Sequence, residues 1–247
     1  MISRASRMLT EVFETTHISQ IFSTILYNLV FGELIQAKRD MSKKGSQQED
    51  SYNIDEYFNS YIAKTYYKTA SMISLGCRGL GIIYDLDIDA QRKLFDFGAH
   101  LGIAFQVHDD ILDYTQNSEQ LGKPAYNDIK EGIVTAPLVY ALVELQQQED
   151  TNAAKLFEQS LKRKCEGEGD VQQALSLLQR SSGIEVADQL SIEHIRQSLR
   201  NLGGVRDKRV PVRQQQQGIV GGQVIDFEEK HAQALIGLAL KVKTRKH

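Results

Sequence analysis

The chain has 247 residues, of which 41% are hydrophobic and 25% charged, so it is long enough for one large domain with a packed core. Its formal net charge of −3 excludes the strongly basic balance of a general nucleic-acid binder, and we expect no nucleic-acid partner. The two cysteines, Cys77 and Cys165, exclude a disulfide-rich secreted scaffold.

Apolar residues recur every three or four positions along most of the chain, and this spacing predicts helices. The predicted helices are 16–41, 54 to about 83, 90 to about 116, and several shorter ones from 136 to about 202. We expect Asp55 and Asp89 to be the N-caps of the second and third of these helices. No stretch alternates with the period of two that indicates a strand, so we predict a single all-α domain over 1–247. No apolar run reaches the ~20 residues of a membrane span, and we expect no transmembrane segment.

Three segments interrupt the helical pattern. Residues 42–53 are predicted to form a polar loop, and residues 118–135 a long loop of the kind that is often functional in a compact domain. Residues 203–224 contain glycines, basic residues and four consecutive glutamines, which predicts a disordered insertion. Helical spacing resumes at Phe227.

The sequence "FQVHDDILDY", residues 105–114, places three acids in an otherwise apolar predicted helix. At about 100° per residue, a helix brings four side chains onto one face: Gln106, Asp109, Asp110 and Asp113. A solvated acidic face usually has lysine or arginine one turn away. Neither residue type occurs between Lys93 and Lys123. This acidic stripe therefore favours a cation supplied from outside, and oxygen donors without cysteine or paired histidine suit Mg²⁺ better than zinc. A solvated face of an amphipathic helix is the alternative.

The surrounding sequence resembles a known enzyme family. "GIAFQVHDDILDYTQNSEQLGKPAYNDIKEGIVTAPLVYAL", residues 102–142, resembles the second aspartate-rich region of trans-polyprenyl diphosphate synthases. "YIAKTYYKTASMI", residues 61–73, resembles the family's Lys-Thr motif, with Lys68 and Thr69 in its places. "GELIQA", residues 32–37, resembles the helix segment that faces the same cavity. The segment "EGIVTAP" has Ile133 where short-chain members often have lysine. In this it resembles the long-chain branch of the family, which makes quinone side chains.

The resemblance implies an isoprenoid-synthase-type helical bundle and a Mg²⁺-dependent reaction. Isopentenyl diphosphate and an allylic diphosphate would be its substrates, and a long-chain polyprenyl diphosphate for ubiquinone biosynthesis its product. The family also implies a homo- or hetero-oligomer, with a mitochondrial location in a eukaryote and a cytoplasmic one otherwise.

The resemblance also implies roles for individual side chains. The Mg²⁺ ligands would be the three acids of the stripe, Asp109, Asp110 and Asp113. Two lysines would contact diphosphate oxygens, Lys68 and Lys123. Oxygen dipoles near the allylic cation would come from Thr69 and Gln106, which with Lys68 form the expected catalytic set. Phe105 would pack beside substrate. From the residues alone, each lysine could equally be solvated and Phe105 could be core packing.

One feature departs from the family pattern. Members have two aspartate-rich motifs on facing helices, whereas this chain has one, and it resembles the C-terminal two thirds of a synthase. We therefore expect the chain as written to be inactive alone. A non-catalytic partner subunit of a heteromeric synthase is the alternative function.

Overall fold

A computed structural model describes residues 16–42, 54–115, 126–130, 133–148, 151–162, 165–202, 237–238 and 241–242. These residues contain helices and turns and no β-strand, which confirms the all-α prediction. The predicted insertion at 203–224 lies outside the described residues, as does most of the helical spacing expected after Phe227.

The helices agree with the predicted ones except for the short helix Asn127–Lys130, which lies inside the predicted loop 118–135. They are α1 (Thr16–Ser42), α2 (Ile54–Thr65), α3 (Ser71–Ile83), α4 (Ile88–Thr115), α5 (Asn127–Lys130), α6 (Ala136–Gln147), α7 (Thr151–Lys162), α8 (Asp170–Arg180) and α9 (Gly183–Leu202). A π-helical turn, Tyr66–Ala70, joins α2 to α3 without a break. The expected helix from 54 to about 83 is therefore confirmed, with a change of winding inside it.

The start of α4 differs from the prediction. The Ala90 N–H group donates to Asp87 Oδ1 at 2.9 Å, so Asp87 caps this helix and the prediction for Asp89 is wrong. Asp89 lies in the first turn, where its carboxylate pairs with Arg92 and Lys93 at 2.7 Å each. Asp87 and Asp89 lie on either side of the first helical residue, and either could cap the helix by residue type, so the sequence does not distinguish them.

Helix α4 is the central element of the bundle. It packs most extensively against α9 and α3, and it also contacts α2, the π turn and α6. A Cβ atom at Gly98 would lie 2.6 Å from Ser74 Cα, and one at Gly102 would lie 2.4 Å from Ala70 Cα. These two glycines therefore permit a backbone approach that any side chain would prevent.

Two histidines meet where α4 packs against α9. His100 Nδ1 lies 2.9 Å from His194 Nδ1, and the two rings are tilted by 42°. Burial lowers the pKa of both imidazoles, that of His194 to about 4, with the His100 charge as a second cause there. The carboxylate of Glu193 opposes the shift at both rings, and Asp96 opposes it at His100. Both rings are therefore neutral near pH 7.

Helix α1 lies against α3 and the π turn on one side and is exposed on the other. Its large exposed apolar side chains are Tyr27, Val30 and Leu34. The stretch Thr16–Ile35 has 20 residues and a mean hydropathy of 1.4 in its most apolar 18-residue window, of which 17% is buried, so it is long and apolar enough to cross a membrane. The stretch qualifies by length and composition alone, so the sequence expectation of no transmembrane segment stays a prediction. A helix that packs against protein on one side passes the same test.

Candidate functional site

The π turn brings the Lys-Thr motif against the acidic end of α4. Its defining bond runs from the Ser71 N–H group back to the Tyr66 carbonyl oxygen, five residues earlier. The close approach at Gly102 holds the end of this turn against α4. As a result, Thr69 Oγ1 donates a hydrogen bond to Gln106 Oε1 at 2.8 Å. Two residues predicted from separate motifs are thus in direct contact.

Gln106 passes this contact on to the acidic stripe. Its Nε2 group donates to Asp110 Oδ1 at 2.9 Å, and the Tyr61 hydroxyl donates to Asp110 Oδ2 at 2.8 Å. Each oxygen of the Asp110 carboxylate therefore accepts a bond from a neutral donor. The result is a continuous polar network that joins α2, the π turn and α4.

The three acids of the stripe have different environments. Asp109 is partly exposed, Asp110 is 5% exposed, and Asp113 is completely buried. Asp113 Oδ2 accepts the Asp128 N–H group at 3.3 Å, and its carbonyl oxygen accepts the Tyr126 N–H group at 3.4 Å. Asp113 thus holds Tyr126 and Asp128, in the middle of the predicted loop 118–135, against α4. Asp109 is the acid most open to solvent.

Burial dominates the electrostatics of Asp110. It raises the pKa of this carboxyl to about 6, against the opposing effects of the Gln106 hydrogen bond, the Lys64 charge and the Tyr61 hydrogen bond. The pKa of the Tyr61 hydroxyl is raised well above its usual range, first by burial and then by the nearby Asp110 charge. Desolvation of this kind, at a carboxyl hydrogen-bonded between several elements, is common at functional sites.

The predicted phosphate-binding lysines have different outcomes. Lys68 Nζ lies 2.8 Å from Glu33 Oε1, within the "GELIQA" segment of α1. Lys64, one turn earlier, lies 3.5 Å from the Val134 carbonyl oxygen and is the lysine whose charge acts on Asp110. Lys123 lies outside the described residues. The ion pair brings the "GELIQA" segment next to Lys68, and the roles of Lys68 and Lys123 stay predictions.

Phe105 lies on another side of α4. Its half-buried ring packs against an apolar cluster formed by Phe97, Leu101, Ala104, Ile195 and Val242. This contact corresponds to the core-packing alternative, and a role beside substrate stays a prediction.

The acids of the stripe could supply some of the oxygen ligands of a hard divalent cation. Among the residues that the structure describes, no three His, Cys, Asp or Glu side chains form a group that could hold a metal ion. Mg²⁺, however, is usually bound through one or two carboxylates and takes waters and phosphate oxygens as its other ligands. The partly exposed Asp109, beside the fixed Asp110, fits that pattern.

Sequence reasoning missed two members of the site. Tyr61 stands at helical spacing among apolar residues and resembles ordinary core. Its hydroxyl was the available signal, because a buried tyrosine usually needs a hydrogen-bond partner. Asp128 lies in the long predicted loop, and its negative charge raises the pKa of Asp110 and Tyr114.

The chain is similar to known proteins over most of its length. The profile of the family described as polyprenyl synthetase matches residues 1–178. The mitochondrial solanesyl-diphosphate synthase 1 of rice (Oryza sativa subsp. japonica) is 32% identical over 207 residues, which are 84% of this chain and 43% of that protein. The decaprenyl-diphosphate synthase of Dictyostelium discoideum is 35% identical over 202 residues, which are 82% of this chain and 39% of that protein.

A solved structure shows the same fold. The apo form of a medium/long-chain length prenyl pyrophosphate synthase from Arabidopsis superposes with a TM-score of 0.72 and 28% identity. The match covers 98% of this chain and 69% of that one, and it confirms the expected helical bundle. The chain spans about two fifths of the length of the two curated relatives.

Proposed function

The chain belongs to the polyprenyl synthetase family, and we propose that the protein is a Mg²⁺-dependent trans-prenyltransferase. It condenses isopentenyl diphosphate with an allylic diphosphate and makes a long-chain polyprenyl diphosphate. The observation that carries this proposal is the series of hydrogen bonds from Thr69 through Gln106 to Asp110. This series lies next to Asp109, which is more exposed to solvent than Asp110. The names of the two curated relatives, a solanesyl and a decaprenyl synthase, support a long product.

The residues of this chain act mainly by orientation. A bound Mg²⁺ would neutralise the diphosphate that leaves the allylic substrate. Asp109, Asp110 and Asp113 are the acids proposed to hold the ion, with Asp109 the most accessible of them. Lys68 is proposed to contact diphosphate oxygens as a point charge.

Thr69 and Gln106 contribute fixed dipoles. The Thr69 hydroxyl fixes the Gln106 amide from one side and Asp110 fixes it from the other. Oxygen atoms held in this way can stabilise a developing allylic cation without reorganising during the reaction. The proposal therefore gives these two residues an electrostatic role.

Location and assembly complete the proposal. The rice relative is named as mitochondrial, which supports a mitochondrial location if the source is eukaryotic. An oligomer is expected from the family resemblance. A non-catalytic partner subunit gains no support from the described residues or from the relatives, which are themselves named as synthases.

The test is prenyl transfer by the purified full-length protein, meaning a chain that carries both aspartate-rich regions, because residues 1–247 are expected to be inactive alone. Radiolabelled isopentenyl diphosphate, an allylic primer and Mg²⁺ should give a labelled product that extracts into butanol, and chromatography after dephosphorylation gives its length. Removal of the ion with EDTA should abolish incorporation, and added Mg²⁺ should restore it. Diphosphate binding without incorporation would favour a partner subunit. Absence of both would contradict the proposed function.

A further inference from the structure

We propose that Tyr61 is a positioning residue that sets the orientation of Asp110 and, through it, the acidic end of α4. The inference rests on the proposed function, because it assigns Asp110 to the ion and diphosphate site. Tyr61 lies outside the acidic stripe and 49 positions before Asp110, and its contact with the site arises only in the folded chain.

The geometry of Asp110 leaves little freedom to its carboxylate. Tyr61 donates to Oδ2 at 2.8 Å from α2, and Gln106 donates to Oδ1 at 2.9 Å from one turn earlier on α4. Two donors that approach different oxygens from different helices fix both the position and the rotation of the carboxylate plane. Gln106 alone would leave the plane free to rotate about a single bond.

The Gln106 amide is itself oriented. Because its Oε1 atom accepts from Thr69, its Nε2 group must face Asp110. Thr69 therefore donates to Gln106, and Gln106 donates to Asp110. Tyr61 donates to the other oxygen of Asp110 from the opposite side. Tyr61 is thus the last donor of this network, and Asp110 is its final acceptor.

Tyr61 acts through Asp110 and not on substrate. The side chain is 1% exposed, and its ring packs in the apolar cluster with Val107 and Ile111. A bound molecule cannot reach a hydroxyl at that depth. Hydrogen-bond partners of metal ligands nevertheless affect ion binding, and their loss typically costs 10–100-fold in affinity.

The experiment compares two tyrosines on the same helix. Tyr57 lies one turn before Tyr61, is 2% exposed, and packs in a different apolar cluster. Mn²⁺ binding to the full-length protein is measured by electron paramagnetic resonance in the presence of inorganic diphosphate. Tyr61→Phe should weaken Mn²⁺ binding about 10–100-fold, whereas Tyr57→Phe should leave it within about twofold. Thermal melting of both variants shows whether they are equally folded.

A double-mutant cycle tests the route of the effect. If Tyr61 acts through Asp110, Tyr61→Phe should cause no further loss of Mn²⁺ affinity once Asp110→Asn is present. The loss of Mn²⁺ affinity caused by Tyr61→Phe should add fully to the loss caused by Asp109→Asn. The proposal would be overturned if Tyr61→Phe and Asp110→Asn lowered the Mn²⁺ affinity additively. Equal Mn²⁺ affinities of Tyr61→Phe and Tyr57→Phe would also overturn it.

The readouts separate this proposal from the proposed function. Coupling between Tyr61 and Asp110 in Mn²⁺ binding, together with no prenyl transfer, would leave the positioning role standing and remove the reaction. Prenyl transfer by the unsubstituted protein without any effect of Tyr61→Phe on Mn²⁺ binding would do the reverse. If the unsubstituted protein holds no Mn²⁺ with diphosphate, both fail.

Discussion

The two ends of α4 hold aspartates in opposite environments. At its start, Asp89 is exposed, and the charges and hydrogen bonds of Lys93 and Arg92 hold its pKa below the usual value. Near its end, Asp110 is buried between Tyr61 and Gln106, and burial raises its pKa to about 6. Local cations stabilise the first acid, whereas neutral donors from other elements hold the second.

This difference separates a structural acid from a candidate functional one. A surface ion pair between neighbouring turns of one helix contributes little to stability and needs no tertiary structure. A buried carboxylate is costly, and it persists only where the fold supplies several partners. The C-terminal end of α4 is therefore where the fold supports a carboxylate that the protein would otherwise be more stable without.

The largest expected effect comes from the acids themselves. In the full-length protein, Asp109→Ala should reduce prenyl transfer by about 100-fold or more, because lost electrostatic groups at a reacting site cost about 3 kcal/mol. Asp89→Ala should leave turnover near normal. The measurement is turnover as a function of Mg²⁺ concentration. Equal activity of the two variants would remove the distinction between the two ends of the helix.

The next effect concerns the contact that holds the acidic end in place. Gly102→Ala should lower the free energy of unfolding by about 2–3 kcal/mol, because the new methyl group meets the backbone at Ala70. Gly76, where an added methyl group would have no neighbouring atom within 4 Å, is the control. Gly76→Ala should stabilise the helix by about 0.5–1 kcal/mol. Urea unfolding measures both, and destabilisation by Gly76→Ala alone would contradict the packing argument.

A smaller effect should separate the two lysines near the site. Lys68→Ala should raise the KM for the allylic diphosphate about tenfold, or about 1.4 kcal/mol, and Lys64→Ala should raise it less. Lys64→Ala should instead raise the pKa of Asp110, because the Lys64 charge lowers it in the native protein. The KM and the pH profile of kcat/KM measure the two outcomes. Identical changes in both variants would show that the assignment of Lys68 is wrong.

The smallest effect concerns the middle of α4, where His100 meets His194. The pKa of both imidazoles is lowered in the folded protein, so the unfolded chain binds protons more readily at mildly acidic pH. Their contribution to stability is complete above about pH 6.5 and is lost as the pH falls toward about 4. His194→Gln should therefore reduce the loss of stability between pH 7 and pH 5, as measured by urea unfolding. An unchanged difference between the two pH values would contradict this.

Much of the fold follows from local spacing, and the details that do not follow are tertiary. The limits of α1 and α4 were predicted within about two residues, because their apolar periodicity is long and uninterrupted. The cap of α4 was misassigned because Asp87 and Asp89 are equivalent by residue type. The winding of Tyr66–Ala70 was not predicted, since no residue type marks a π turn.

The candidate site shows the same division. The helical repeat was enough to place Gln106 near Asp110, because they are one turn apart. It could not show that Asp110 and Asp113 are buried while Asp109 is partly open, because burial depends on which helices pack nearby. The contact between Tyr61 and Asp110 joins residues 49 positions apart, which no local pattern encodes.

In the π turn, the number of residues affects how α3 is rotated about its axis. Its bond spans five residues where an α-helical bond spans four, so the turn accommodates one extra residue. Relative to an unbroken α-helix, the angular phase of α3 is therefore displaced by roughly one residue step, about 100°. Deleting a single residue between 66 and 70 would cancel that displacement and rotate every side chain of α3 together. The number of residues in the turn therefore contributes to which side of α3 meets α4.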